Sequence, residues 1–261
     1  MTFLHKFGIG AGTGREVSRS ASPSGSSGAA TSASGGRTRT TTAPPVASAG
    51  TTRPSENSGT SRVSNGLKEL LWNLDGLGRG TLLDLGSVWQ TTLSFFIERG
   101  FRVTSEDILR AWKDFLDKEE ASLRDAAGRI PDPSVDMTPS GRAARFLESN
   151  LKYPAASFDA VLLWDLLDYL EPAMANRMVA SLTELLRPGG VIFAMFHSKK
   201  PEGFHRYRVV DSTSLQVIST AVLCPAQRVY QNREIQDLFN RYRTMKSFVA
   251  RDQLRETLFI K

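Results

Sequence analysis

Cysteine is almost absent from this sequence: Cys224 is the single one in 261 residues. A lone thiol excludes an internal disulfide framework and a cysteine-rich zinc site, and it suits a reducing compartment such as the cytoplasm. Nothing else in the chain reads as a metal site. No run of ~18 apolar residues occurs, so no membrane span is expected. The first fourteen residues lack the apolar stretch that a secretion signal needs. Large apolar side chains are scarce over residues 17–62, where Ser, Thr, Gly, Ala and Pro dominate. Such a segment cannot bury enough surface to offset the entropy of ordering it. Acids are scarce there as well. Residues 1–62 hold seven bases and two acids, net +5, while the rest of the chain carries only +1. The overall charge of +6 therefore sits on the tail and not on a folded face, which argues against nucleic acid as a partner of the folded part. The expected organisation is a disordered basic tail over 1–62 and one α/β domain over 63–261, long enough for a full core.

What is present is an alternation of helical and strand patterns. Asn65 can cap a helix with Leu67, Leu70, Leu71 and Leu74 on one face. Residues 81–85 form a short apolar strand ending at Gly86. A helix over 89–99, a strand over 101–105 and a long amphipathic helix over 108–126 follow. Residues 128–141, with three prolines and two glycines, predict a loop, and 142–150 fit either a short helix or a poor strand. Residues 158–164 and 191–196 are buried strands flanking a helix over 172–187, which stops at Arg187-Pro188-Gly189-Gly190. A hairpin is expected over about 205–219, then a helix over 232–241 and a closing antiparallel pair over 244–250 and 254–260. Strands alternating with helices predict a parallel sheet covered on both faces.

Three segments in chain order carry more than periodicity. They are Leu82-Leu83-Asp84-Leu85-Gly86, the run Ser157 to Leu170 (SFDAVLLWDLLDYL), and Leu185-Leu186-Arg187-Pro188-Gly189-Gly190-Val191-Ile192. Together they resemble the first, fourth and fifth strand motifs of the class I S-adenosylmethionine-dependent methyltransferases, in particular the small-molecule "type 11" group, over roughly residues 66–260. The resemblance implies a three-layer α/β/α Rossmann-like fold. Its sheet would be mostly parallel and seven-stranded, with a C-terminal antiparallel strand. It also implies S-adenosylmethionine as cofactor and a small molecule as methyl acceptor.

The resemblance assigns cofactor contacts to Asp84, Gly86 and Ser87 at the first strand end, and to Asp107, before Glu106, as the carboxylate for the ribose hydroxyls. Either acid could instead cap the helix that follows. Asn150, with Glu148 as the alternative, falls where an adenine partner is expected. Trp164 and Asp165 end the fourth strand: the indole either faces the cofactor or packs in the core, and the acid needs a polar partner. Asp168, Tyr169 and His197 are candidates for a base near the acceptor. His205, Arg206, Tyr207 and Arg208 lead into the hairpin, where they line an anionic site or coat an edge strand. One departure stands out. The family's G-x-G-x-G reads Gly86-Ser87-Val88-Trp89-Gln90, so two glycines are gone, and Val88 adds bulk and disfavours φ > 0. This loop keeps an alternative open: a domain of the same fold that has lost or weakened cofactor binding and acts as a binding or regulatory module.

Overall fold

The computed structural model describes residues 59–125, 135–250 and 252–261. Nearly all of the expected tail and the first part of the expected loop therefore lie outside the described residues. The elements, in chain order, are β1 (Thr60–Val63), α1 (Asn65–Leu74), β2 (Gly80–Asp84), α2 (Gln90–Ile97), β3 (Phe101–Ser105), α3 (Ile108–Asp125), α4 (Pro139–Asn150) and β4 (Phe158–Trp164). A 3₁₀ turn over Leu166–Tyr169 follows, then α5 (Pro172–Leu185), β5 (Leu186–His197), β6 (Phe204–Val209), β7 (Ser214–Thr220), α6 (Asn232–Leu238), β8 (Thr244–Val249) and β9 (Leu254–Ile260).

The main sheet runs β3-β2-β4-β5-β9-β8. Strands β2 to β5 pair in parallel, and β9 runs against both of its neighbours. This is the three-layer Rossmann-like architecture expected from the sequence, with six strands described in place of seven. The ambiguous stretch 142–150 lies in α4. Thr138 caps that helix by accepting from the Gly141 N–H, and Pro139 stands at its first turn, where a missing N–H costs nothing.

Strand periodicity divides the core into two halves. On β2, β4 and β5, Leu83, Val161, Leu163, Ile192, Ala194 and Phe196 pack with α3 to α6. The alternate residues Leu82, Ala160, Leu162, Trp164, Val191, Phe193 and Met195 pack with α1, α2 and the β6–β7 hairpin. A period of two on strands buried from both sides produces this split.

Several boundaries differ from expectation: β5 begins at Leu186, so Arg187 to Gly190 lie in that strand and not in a turn between a helix and a strand from 191. The tail was expected to run through residue 62, yet Thr60–Val63 pairs antiparallel with β7 and makes a separate three-stranded sheet, β1-β7-β6. The strand carries no apolar alternation, because its burial is that of one charged side chain: Arg62 is 7 % exposed and contacts Glu256 and Asp252, each at 3.0 Å. The cap of α1 is Ser64, whose Oγ accepts from the Leu67 N–H at 2.9 Å, and Asn65 is the first helical residue. The expected hairpin near 205–219 is present as β6 and β7.

Candidate active site

The chain order reverses between β2 and β4: β3 lies on one side of β2 and β4 on the other. Open α/β sheets hold ligands outside the carboxyl ends of their strands at such a point. A cleft lies there, with Gly86, Ser87, Asp107, Trp164 and Asp165 on its wall and Arg206 and Tyr207 of β6 across from them. It encloses about 410 Å³, of which only about 40 Å³ admits the centre of a water molecule. It is well framed but narrow.

Asp84, at the end of β2, is buried. One carboxylate oxygen accepts from the Trp164 indole N–H at 2.7 Å and from the Gly86 N–H at 3.0 Å. Its other oxygen has no hydrogen-bond partner among the described residues. Burial pushes the carboxyl up to about 6, against the pull of those two donors. Gly86 does not have positive φ. Its role is close approach: a Cβ there would lie 2.5 Å from Cδ1 and Nε1 of Trp164. Trp164 itself has φ 52°, a left-handed conformation that costs a bulky residue ~1–3 kcal/mol. The backbone is held there by the indole–Asp84 bond and by stacking on Tyr207, with centroids 6.0 Å apart and planes 9° from parallel.

Asp107 caps a helix and also stands on the cleft wall: one oxygen accepts from the Arg110 N–H at 3.2 Å, at the start of α3. Glu106 is engaged elsewhere, accepting from the Tyr153 hydroxyl. Asn150 and Glu148 are not brought to the cleft. The Asn150 amide donates to the Phe146 carbonyl at the end of α4, and Glu148 is exposed. Val88 is 58 % exposed and not at positive φ, so its side chain does not fill the site. The loop takes its own path without the missing glycines.

A second cluster adjoins the first. Asp168 is fully buried, and one of its oxygens accepts from the backbone N–H of His197 at 2.8 Å and pairs with His197 Nδ1 at 2.9 Å. His197 Nε2 lies 3.8 Å from Asp165, which also accepts from the Tyr207 hydroxyl at 3.1 Å. Burial pushes Asp165 up to about 7, and it raises Asp168 against the hydrogen bonds from His197. For His197, burial works against the charged form. The bond to Asp168 and the charges of both acids outweigh it, and the net shift is upward. Tyr169 packs edge-on to His197 with centroids 6.4 Å apart. Burial raises its hydroxyl's pKa, which makes it a poor base.

His197 opens onto a larger cavity, with about 320 Å³ for water centres. Lys199, Glu202, Asp252 and Gln253 stand on its rim, and His205 and Tyr207 form a wall shared with the first cleft. Of the sequence-derived candidates, the structure thus gathers Gly86, Ser87, Asp107, Trp164 and Asp165 at one mouth, with Asp84 buried against Gly86 and Trp164 and with Asp168, Tyr169 and His197 in the adjoining cluster. The sequence left Arg206 and Tyr207 open between lining an anionic site and coating an edge strand, and the structure places both on the cleft wall. The register that points them into the cleft is a property of β6–β7 pairing, which the local sequence does not display.

No protein-family model matches this sequence, and no curated protein matches it. Among solved structures, the chain is similar to the 1,6-didemethyltoxoflavin-N1-methyltransferase of Burkholderia thailandensis, solved with 1,6-didemethyltoxoflavin and S-adenosylhomocysteine bound. The identity there is 17 %, over 75 % of this chain and 76 % of that one, with a TM-score of 0.38. It is also similar to a SAM-dependent methyltransferase from Archaeoglobus fulgidus (11 % identity, 75 % and 91 % covered, TM-score 0.42) and to one from Mesorhizobium loti (14 %, 74 % and 96 %, TM-score 0.39). Likenesses this distant leave the function to the geometry and chemistry of the site.

Proposed function

We propose that this chain transfers a methyl group from S-adenosylmethionine to a small acceptor. The observation that carries the reading is the convergence of Gly86, Ser87, Asp107 and Trp164 on one cleft at the switch point of the sheet, with buried Asp84 hydrogen-bonded to two of them. The residues suit the cofactor in kind. Asp107 would accept the ribose hydroxyls, and buried Asp84, hydrogen-bonded to Gly86 and Trp164, has one oxygen without a partner among the described residues. When bound, the cofactor supplies an electrophilic methyl on a sulfonium. The protein's part is to align the acceptor and exclude water.

His197 then serves as base. An ionised Asp168 only accepts, so the proton of His197 sits on Nδ1 and the Nε2 lone pair remains for the acceptor. Held beside Asp107 and Gly86, the cofactor would supply the methyl group to the acceptor oxygen or nitrogen, its sulfur keeping the electron pair of the bond it gives up. The acceptor's proton passes to Nε2, and Asp168 and Asp165 stabilise the resulting imidazolium. Lys199, Glu202 and Gln253 on the rim of the larger cavity give the acceptor polar partners.

Calorimetric titration with S-adenosylmethionine tests the reading. Binding by the wild type, weakened about ten- to a hundredfold in Asp107→Ala, is expected from loss of a charge-assisted contact worth ~1.5–3 kcal/mol. Unchanged affinity in a folded variant would remove Asp107 from the site. A second reading, a non-catalytic module of the same fold, has its own motive: the Trp164 indole lies against Gly86, where a cofactor would approach. A wild type that binds no S-adenosylmethionine would favour it.

A further inference from the structure

The cleft is narrow because the chain fills it. Arg206, on β6, reaches across and donates through Nη1 to the Ser87 hydroxyl, and the same nitrogen lies 3.3 Å from Asp107 Oδ2. Both members of that ion pair are largely covered, at 17 % and 21 % exposed. The next residue, Tyr207, stacks on Trp164 and donates to Asp165. Two neighbouring residues of one strand therefore cover two stations of the cleft, the carboxylate on the α3 side and the aromatic floor at the end of β4. The hairpin also has anchors away from the cleft. Val209 and Leu215 are already buried beneath it, and the Val209 N–H donates to buried Thr92 at 3.0 Å.

From this geometry we infer that Arg206 is a built-in competitor for the cofactor's seat, which closes the cleft until it is displaced. The inference rests on the methyltransferase reading, because the seat it contests is the carboxylate assigned to the ribose. With the Arg110 N–H on one oxygen and the Arg206 guanidinium on the other, the Asp107 carboxylate has fewer lone pairs left for a sugar diol, so the two compete. The cofactor binds the fraction of molecules in which Arg206 has swung away, so the apparent dissociation constant is the intrinsic one divided by that fraction. The same device joins the two cavities. The strand that carries Arg206 also carries Tyr207 and His205, which form their shared wall. Lifting Arg206 would thus disturb the partition beside His197.

The test is calorimetric titration of the full chain with S-adenosylhomocysteine, for wild type, Arg206→Ala and Arg206→Gln, with a thermal melt of each to establish folding. Removing the competitor should tighten binding about fivefold in the alanine variant, as expected for a part-buried ion pair, and less in the glutamine variant, which keeps a donor. Added salt should narrow the gap, because it screens the pair in the wild type alone. If the wild type binds and both variants bind equally or more weakly, Arg206 is a ligand or a bystander, and the inference fails while the methyltransferase reading stands. If none of the three binds, the cofactor assignment fails and the inference falls with it. Glutamine keeps part of the aliphatic stem and a donor, so a misfolded alanine variant still leaves an answer.

Discussion

Replacing Arg62 with alanine should destabilise the domain by about 3 kcal/mol, although the residue lies in a stretch that composition assigns to a disordered tail. The magnitude follows from the burial of its partner. Glu256 sits in the middle of β9 with its side chain 2 % exposed, and its contacts are the Gly66 N–H at 2.6 Å and the Arg62 guanidinium at 3.0 Å. Breaking a buried pair from one side costs ~3–5 kcal/mol, because the remaining charge loses its compensation. The lower end applies here, since Arg62 and Glu256 touch without aligned hydrogen-bond geometry and Gly66 still serves the carboxylate. For a domain of this size ~3 kcal/mol lowers the melting temperature by about 6–12 °C. The assay is thermal or urea unfolding of three chains: one cut before residue 59, one cut after residue 63, and full-length Arg62→Ala. The first should melt like the wild type, and the other two should not. Burial already raises Glu256 against the pull of Gly66 and Arg62, so removing Arg62 raises it further. The deficit of the variant should therefore shrink in acid, where Glu256 takes a proton. An Arg62→Ala protein that melts within a degree of wild type at neutral pH would refute the reasoning and return β1 to the tail.

Two further outcomes are expected. Burial raises Asp84 from an ordinary 3.8 to about 6, so the folded state holds this proton more tightly than the unfolded one. Stability is then lost as pH rises from about 4 through about 6, by at most about 3 kcal/mol. Asp84→Asn keeps an acceptor for Trp164 and Gly86, so it should be more stable than wild type at about pH 8 and not at about pH 4. Denaturant unfolding at both values checks this, and a pH-independent difference would contradict it. Because the net shift of His197 is upward, methyl transfer should rise with pH through a point above the usual histidine value. His197→Gln should lower kcat about a hundredfold or more and flatten that limb, with cofactor affinity unchanged, all read from initial rates across pH.

Most of the sheet was legible because strands buried on both faces leave runs such as Val161-Leu162-Leu163, and helices leave stripes such as Leu67, Leu70, Leu74. Those signals are local. β1 was not legible, since Thr60-Ser61-Arg62-Val63 earns its place through pairing with β7 and through a carboxylate 194 residues away. Residues 142–150 looked indecisive because a helix covered on one side by α5 and on another by α3 shows a broken stripe. The missing glycines misled for a related reason. A G-x-G-x-G pattern implies positive φ, but nothing from Gly86 to Gln90 adopts it, and Val88 points outward.

The site shows where such reasoning stops. Sequence spacing put Asp107, Trp164 and Asp165 at strand ends correctly, because a strand end is a matter of counting. What those residues touch depends on the hairpin from across the cleft. Trp164 was weighed as either cofactor platform or core, and its position makes the alternatives compatible. The indole is 5 % exposed and tied to Asp84, so it behaves as core while Tyr207 lies on it, and would become a platform once Tyr207 lifts. Its left-handed backbone sharpens the point. A strand residue with φ 52° is sustained by contacts on both of its faces, and one of those faces is Tyr207. Opening the hairpin removes part of what holds Trp164 in that conformation, leaving a strained aromatic side chain at the mouth of the cleft until a ligand replaces Tyr207. A planar, electron-rich surface suited to a purine or a sulfonium is what that vacated position offers. On the proposed reading, the closed cleft and the cofactor site would be two states of the same few residues.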